Sequence, residues 1–175
     1  MHIREANDKD SEDIKNIHLQ AFDDAESEVV ADFAVSLLHE KSSTKTISLV
    51  AIEDDEIIGH VAFSPVYLKG VNQHFAYILA PLAVLPGQQN KSVGSALVKH
   101  GLDIVSSSGT YMVFVYGDPG YYSRFGFKSD IAKSFSPSYT LKHPEGWHAI
   151  KLGSDDFPEG GSIECVDSLN DPQLW

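Results

Sequence analysis

The sequence predicts an α/β fold of the α+β kind, in which a mixed central sheet carries helices on both faces. An apolar, strand-like run at His74–Val84 is followed by a helical pattern from Val93 and a second apolar run at 111–116. A strand–helix–strand unit of this kind places its two strands in one sheet and parallel. Alternating patterns before and after Asp54-Asp55 add an antiparallel hairpin. These observations together predict one mixed sheet that includes a parallel pair of strands.

Length and composition limit the class of protein. A chain of 175 residues suits one domain and is short for two, so we expect a single domain over residues 1–175. Cys165 is the only cysteine, which excludes an internal disulfide and favours a reducing, cytoplasmic setting. We find no apolar run that could span a bilayer and no signal-peptide pattern, so we expect no membrane partner. The net charge of −12 argues against binding to nucleic acid, whose phosphates require basic residues.

The first third of the chain predicts a short strand and two helices. Residues 2–6 form the strand, and Asn7 with Asp10 has the pattern of a helix capping box. His18 lies on the apolar face of the first helix, where a packed histidine is commoner than a ligand. Residues 22–27 are predicted as an acidic connector that leads into the second helix. The apolar face of that helix follows helical spacing at Val29, Val30, Phe33 and Leu37.

The middle of the chain carries the strongest signals. The hairpin strands are predicted at 46–52 and 57–66, and the strand at His74–Val84 is broken by Pro86-Gly87. Gly101 lies on the apolar face of the following helix, where it costs some helix stability but permits close approach to the sheet. The strand at 111–116 is apolar throughout, as expected for a strand that is buried on both faces.

Residues that favour the start and the end of a helix predict a short helix after that strand. Asp118 is a suitable cap, Pro119 suits the first helical position, and Gly126 suits the stop, so the helix is expected at 121–125. Further strands are predicted at 147–152 and 162–166.

The polar loop between the His74–Val84 strand and the next helix predicts an anion site. The first N–H groups of a helix lack internal partners and carry partial positive charge, which suits a phosphate or pyrophosphate. No Asp or Glu occurs between Glu56 and Asp103, whereas Lys69, Lys91 and Lys99 do. Burial of the strands explains this charge pattern equally well. The sequence shows no cysteine cluster or metal-ligand pair, so we expect no metal.

Two motifs in this order resemble the GCN5-related N-acetyltransferase (GNAT) family. The first is Gln89-Asn90-Lys91-Ser92-Val93-Gly94, and the second is the segment from Gly117 to Phe127. More narrowly, Pro-Leu-Ala-Val-Leu-Pro at 81–86 together with the second motif is similar to a bacterial, YhbS-like branch. The resemblance covers about residues 3–152 and leaves 153–175 as an acidic C-terminal extension.

The resemblance implies acetyl-CoA as co-substrate and transfer of an acetyl group to a primary amine. Leu82, Ala83 and Val84 are expected to line the pantetheine arm, and amides near Ala83 or Val84 to polarise the thioester carbonyl. The full set of residues that the resemblance assigns to the cofactor is Leu82, Ala83, Val84, Gln89, Asn90, Lys91, Ser92, Val93, Gly94, Ser95, Tyr122 and Arg124.

The resemblance also implies a general acid. Tyr122 matches the tyrosine that protonates the leaving thiolate, and Tyr121 is expected to face the core instead. Glu26 is the candidate base and Glu28 its neighbour, although acids are also favoured at a helix start by the dipole alone. His60, on the hairpin, is a further candidate base, although a packed histidine is the commoner outcome.

Two other interpretations stay open at this point. Ser92 replaces the first glycine of the motif, which allows a non-catalytic acyl-CoA-binding or regulatory module of the same fold. The other interpretation is an unrelated phosphate-binding α/β domain. It would be favoured if the sheet did not splay into a V shape after Val84. The acidic first third favours a cationic acceptor, and the family resemblance is compatible with a homodimer.

Overall fold

The computed structural model describes residues 1–153 and 158–175. The described strands are β1 (His2–Glu5), β2 (Ile47–Glu53), β3 (Glu56–Leu68), β4 (His74–Val84), β5 (Met112–Tyr116), β6 (Phe135–Ser136), β7 (Trp147–Lys151) and β8 (Gly161–Cys165). The α-helices among these residues are α1 (Ser11–Ala21), α2 (Asp24–Leu38), α3 (Val93–Ser107), α4 (Pro119–Tyr122) and α5 (Ser129–Ala132).

The sheet is mixed, as the sequence predicts. Its main path runs β1-β2-β3-β4-β5-β7, and the only parallel neighbours on that path are β4 and β5. Helix α3 connects these two strands, so the predicted strand–helix–strand unit is confirmed. Strand β8 pairs antiparallel with the end of β3, and the two-residue β6 pairs with β8. The sequence did not predict β6 or α5.

Helices cover both faces, which is also as predicted. Phe33 and Leu37 of α2 pack on one face of the sheet, against side chains such as Phe114 and Trp147. On the other face, Leu97 of α3 and its neighbours pack against β2, β3, β4 and β5. Each face therefore buries its own apolar cluster, and the sheet forms the middle layer.

The start of α2 differs from the prediction. Residues 22–27 were expected to be a connector, but the helix begins at Asp24, so that expectation is wrong for most of the segment. Asp24 and Glu26 both lie in the first turn, where the helix dipole favours acids and allows an acidic stretch to be helical. By contrast, the predicted capping box of Asn7 and Asp10 is present, on a single 3-10 turn that leads into α1.

His18 and His60 form a buried pair between α1 and β3. The Nε2 atom of His18 lies 2.9 Å from Nδ1 of His60, and Nε2 of His60 lies 2.9 Å from the Ser48 hydroxyl. Both side chains are fully buried. Burial lowers the pKa of His18 to about 3 and holds the pKa of His60 well below its ordinary value. The prediction that His18 is packed is confirmed, and the pair is neutral in the folded protein.

The described part of the tail packs on the body of the protein. Trp175 is only 2% exposed, and its indole N–H donates to the Leu169 carbonyl at 3.0 Å. Its ring lies 6.2 Å from the ring of Trp147, inside the apolar cluster on the α2 face. The expected acidic extension at 153–175 also includes residues 154–157, which lie outside the described residues.

Candidate active site

Strands β4 and β5 separate before β4 ends, and a cleft opens between them. Their parallel pairing stops at Leu79 and Val115, whereas β4 remains paired with β3 as far as Val84. The register between β3 and β4 shifts between Leu79 and Leu82, next to the cis Ala80–Pro81 bond. A bulge of this kind bends a strand locally. The splay was expected after Val84, but it begins earlier, after Leu79, and it exposes the edge of β4 over the residues assigned to the pantetheine arm.

The cleft has a volume of about 980 Å³, which is near the upper end for small-molecule sites. Its lining comes from α2, from β4, from the segment that ends in α4, from residues 142–146 and from the tail. Leu82, Tyr122 and Glu26, three of the sequence-predicted site residues, all line it. The structure thus brings the candidate acid, the candidate base and the open strand edge to one cavity.

The loop before α3 is the place where the sequence predicts an anion site. Ala96 donates the first backbone hydrogen bond of the helix, to the Ser92 carbonyl at 2.9 Å. The N–H groups of Val93, Gly94 and Ser95 precede that bond and are the open donors of the helix start. Two side chains of the motif bind the loop itself: Gln89 donates to the Val84 carbonyl at 3.2 Å, and Lys91 donates to the Gln88 side chain at 3.0 Å.

Two glycine positions of the first motif serve different purposes. A Cβ at Gly94 would lie 2.6 Å from the Tyr121 hydroxyl, so this glycine allows the second motif to pack against the helix start. Ser92 has a φ of 66°, in the left-handed region that glycine adopts without steric cost. Other members of the resembled family carry glycine at this position of the motif. That glycine therefore suits the left-handed backbone at position 92 as well as the close approach of a ligand.

We expect Ser92→Gly to raise the free energy of unfolding by about 0.5–1 kcal/mol. A left-handed conformation costs a residue with a Cβ about 1–2 kcal/mol, and the greater freedom of glycine in the unfolded chain offsets part of that gain. Chemical denaturation of the two proteins measures the change. Asn90 has a φ of 61°, but asparagine tolerates this region, so Asn90→Gly is the control and should change stability less. Equal effects of the two substitutions would contradict this account of Ser92.

The second motif forms the predicted short helix. The Asp118 side chain accepts a hydrogen bond from the Gly120 amide at 2.9 Å, Pro119 is the first helical residue, and Gly126 has a φ of 94°. Both tyrosines of α4 line the cleft and both pack partly on the apolar cluster of the α3 face, so the structure does not show the expected division between a core tyrosine and a cleft tyrosine. A four-residue helix is too short to bury one of its sides fully, which explains the difference.

The two tyrosines nevertheless have different surroundings. The Tyr121 hydroxyl lies against Gly94 and shares a hydrogen bond with Ser95, whereas the Tyr122 ring packs on Gly117 and, edge-on, on Phe127. Burial is the main cause that raises the pKa of Tyr122 well above its ordinary value. Tyr122 is therefore a neutral phenol at physiological pH and carries a proton that it can donate.

Arg124 pairs within its own segment. Its guanidinium carbon lies 3.9 Å from the centre of the Tyr121 ring, and its Nε donates to the Tyr121 carbonyl at 2.8 Å. The side chain is thus fixed above Tyr121, close to the helix start that it was expected to assist. The contact with a cofactor that the sequence analysis expected stays a prediction.

The candidate bases lie in different places. Glu26 is exposed and lines the cleft, whereas Glu28, two residues later, is exposed but does not line it. His60 is fully buried, is bonded to His18 and Ser48, and lies outside the cleft lining, so its expected role as a base finds no support.

The sequence analysis missed most of the far wall of the cleft. The tail supplies Leu169, Gln173, Leu174 and Trp175, and α2 supplies Phe22 just before its start together with Val29, Val30 and Phe33. The α2 contribution had a signal, because positions 22, 26, 29, 30 and 33 follow helical spacing. The tail had none, since nothing local in its sequence shows where it docks.

Within residues 1–153 and 158–175, no group of three or more His, Cys, Asp or Glu side chains is arranged to hold a metal ion. None of the helices in the same residues is long and apolar enough to cross a bilayer.

Comparison with known proteins agrees with this geometry. The family described as "Acetyltransferase (GNAT) domain" matches residues 2–129. The chain therefore belongs to the GNAT acetyltransferase family. Within that family it is a YhbS-like protein, as its relatives show. It is 32% identical over 162 residues to the uncharacterized N-acetyltransferase YjhQ of Escherichia coli K12, a match that covers 90% of this chain and 88% of YjhQ. It is 38% identical over 106 residues to the uncharacterized N-acetyltransferase YhbS of the same strain, covering 60% of this chain and 59% of YhbS.

Two solved structures are similar over nearly the whole chain. E. coli YhbS in complex with CoA superposes with a TM-score of 0.82 at 28% identity and covers 97% of this chain and 92% of that one. A GNAT family acetyltransferase from Brucella melitensis, in complex with acetyl-CoA, superposes with a TM-score of 0.75 at 28% identity and covers 97% of both chains. Both neighbours therefore share the overall fold of this chain, and both were solved with a CoA compound.

Proposed function

We propose that this protein transfers the acetyl group of acetyl-CoA to the primary amine of an acceptor. The observation that carries the proposal is the open edge of β4, which lies beside the unpaired amides of α3 and in one cleft with Tyr122. The residues present fit the co-substrate, since Val93, Gly94 and Ser95 supply three open N–H donors for a pyrophosphate. The CoA compounds in the two neighbouring structures support the same assignment.

Acetyl-CoA supplies the acetyl group as a thioester. The edge of β4 at Leu82, Ala83 and Val84 binds the pantetheine amides in the manner of an added strand. An amide at Ala83 or Val84 polarises the thioester carbonyl, and such a preorganised donor typically contributes about 2.7–4 kcal/mol. Gln89 and Asn90 hold the loop conformation that presents the helix start, while Lys91 and Arg124 add positive charge at its edge.

The proton transfers fall to two side chains that line the cleft. Tyr122 donates its proton to the departing sulfur of CoA, and its raised pKa means that it is protonated before the sulfur leaves. Glu26 attracts the acceptor's ammonium group and takes up the proton that the amine must lose before it attacks, directly or through a water molecule. Glu26, Asp118 and Glu145 make the lining more acidic than basic, which favours a cationic acceptor.

We expect Glu26→Gln to lower kcat/KM for the amine by about 100-fold, near the lower end of the range for a general acid or base. The affinity for acetyl-CoA should not change, because Glu26 belongs to α2 and is not among the residues assigned to the co-substrate. Steady-state rates of thiol release and titration calorimetry measure the two quantities.

Glu28→Gln is the matched control for that variant. Glu28 lies on the same helix and is also exposed, but it does not line the cleft. The kcat/KM of the Glu28→Gln variant should therefore stay within about twofold of the unsubstituted protein's value. If both variants lost activity equally, the general acidity of α2 would be responsible, and the role of Glu26 would be rejected.

The proposal as a whole is tested by calorimetry with acetyl-CoA and by thiol release with a panel of amines. Absence of acetyl-CoA binding would reject it. Tight binding without thiol release for any amine would favour the non-catalytic module instead, although the names of the relatives do not favour it.

We further propose that residues 1–175 form one N-acetyltransferase domain. The support is the tail, whose Ile163, Leu169 and Trp175 are buried in the same cluster as Phe33 and Phe114. The tail is thus part of the core and not a separate unit. We also propose a cytoplasmic location, on the strength of the single, half-buried Cys165, which has no second cysteine to pair with.

A further inference from the structure

We propose that the acceptor is a primary amine that carries an apolar body, and that the far half of the cleft is built to hold that body. The inference rests on the proposed function, because it names the substrate class for the same cleft. By the far half we mean the part of the cleft that is lined by α2 and by the tail segment 169–175, two segments that contact each other.

The α2 wall is an apolar stripe with one charge in it. Val29, Val30 and Phe33 line the cleft at helical spacing together with Ala25, and Phe22 adds to them from just before the helix. Glu26 is the only charged residue among the lining residues that come from α2. An ammonium group that meets the Glu26 carboxylate therefore has hydrocarbon beside it on the same wall, and this suits a cation that is attached to an apolar group.

The tail wall is mostly apolar, with Gln173 as its polar side chain, and it is held in place. Trp175 stacks on Tyr116, with the ring centres 6.4 Å apart and the planes 16° from parallel. Its indole N–H is already used by the Leu169 carbonyl, so this ring presents carbon and not a donor to the cleft. Leu169 and Leu174 extend the same surface. A wall that is packed into the core in this way is preorganised for an apolar ligand.

Apart from Glu26 and Gln173, the polar groups of the lining come from other segments. Lys142, His143 and Glu145 come from one loop, in which His143 and Glu145 approach to 3.4 Å. Asp118 uses its carboxylate to cap α4. A polyhydroxylated amine in the far half would give up water for each hydroxyl and meet mainly hydrocarbon, which is unfavourable. The geometry therefore selects against such acceptors and in favour of apolar ones.

The test compares two amines of equal length on the full chain, hexylamine and 2-(2-aminoethoxy)ethanol, by thiol release from acetyl-CoA. They share a primary amine and the same number of non-hydrogen atoms, and they differ in apolar character. We expect kcat/KM to be about tenfold or more higher for hexylamine, since each methylene in an apolar pocket contributes a factor of roughly ten or more. 2-Phenylethylamine should react at least as well as hexylamine.

Equal rates for the two amines, or a preference for the ether amine, would overturn the inference. So would thiol release that occurs only with polyhydroxylated amines such as kanamycin, and in both cases the proposed function would stand. No thiol release with any amine would reject the proposed function, and this inference with it. The two failures are thus told apart by the same panel.

A pair of valine variants tests the α2 wall. Val30 lines the cleft, whereas Val35, on the same helix, packs with Ile14, Ala34, Val50 and Ile52 away from it. Val30→Ser should reduce the ratio of the two kcat/KM values by about tenfold, and Leu174→Ser on the tail should reduce it in the same direction. Val35→Ser should leave the ratio unchanged. The ratio cancels any general loss of folded protein, so an unchanged ratio in both Val30→Ser and Leu174→Ser would reject the assigned pocket.

Discussion

Replacing Tyr122 by phenylalanine is expected to lower kcat for acetyl transfer by about 10²–10⁴-fold while the affinity for acetyl-CoA stays the same. The variant removes one hydroxyl and keeps the ring that packs on Gly117 and Phe127, so the fold of α4 should not change. Within the described residues this hydroxyl donates no hydrogen bond that holds the structure together, which leaves its proton available to a leaving group.

The adjacent tyrosine provides a strict comparison. Tyr121→Phe removes an equivalent hydroxyl one residue away, but that hydroxyl is bonded to Ser95 and lies against Gly94. Its loss should reduce kcat by less than about tenfold, the scale of one neutral hydrogen bond. Pre-steady-state thiol release, with calorimetry for binding, separates chemistry from cofactor affinity. A Tyr122→Phe enzyme with full kcat would exclude Tyr122 as the proton donor.

The elements that the sequence predicts well are those whose signals are local. The strand at His74–Val84 has the bounds that its apolar run predicts, because Pro86-Gly87 ends it within two residues. The short helix after β5 is likewise set by a capping aspartate, a proline and a left-handed glycine that all lie within nine residues, from Asp118 to Gly126. Such signals need no knowledge of the rest of the chain.

The features that escape sequence analysis depend on distant contacts. β6 is a strand because it pairs with β8. Trp175 is buried because its ring packs against the rings of Trp147 and Tyr116. The pairing of His18 with His60 spans 42 residues and shows no periodicity. The candidate site divides in the same way: its cofactor half is carried by two compact motifs, whereas its acceptor half is assembled from α2 and the tail.

The second large effect is expected at Gly101, which the sequence analysis placed at a close approach of helix and sheet. A Cβ built there would lie 2.1 Å from Cε2 and 2.5 Å from Cζ of Phe63, which confirms that expectation. Phe63 is fully buried on β3, among the side chains of α3 and its neighbours, so its ring has little room to move. Gly101→Ala must therefore push α3 away from the sheet.

We expect Gly101→Ala to lower the free energy of unfolding by about 3 kcal/mol, at the upper end of the range for an overpacked core. The better helix propensity of alanine, about 1 kcal/mol, cannot offset a contact so far inside van der Waals distance. For a domain of this size the melting temperature should fall by about 6–12 °C. Gly87→Ala is the control, since a Cβ there meets nothing within 4 Å among the described residues.

The same substitution connects packing with function. Gly101 allows α3 to pack closely on the sheet, and the same helix carries the amides of Val93, Gly94 and Ser95 that are assigned to the pyrophosphate. A displacement of α3 therefore displaces these amides as well. Gly101→Ala should therefore weaken acetyl-CoA binding at temperatures where the protein is still folded, although residue 101 lies outside the cleft lining. Calorimetry well below the melting transition measures this. A variant that melts early but binds acetyl-CoA normally would show that the ring of Phe63 yields instead of the helix.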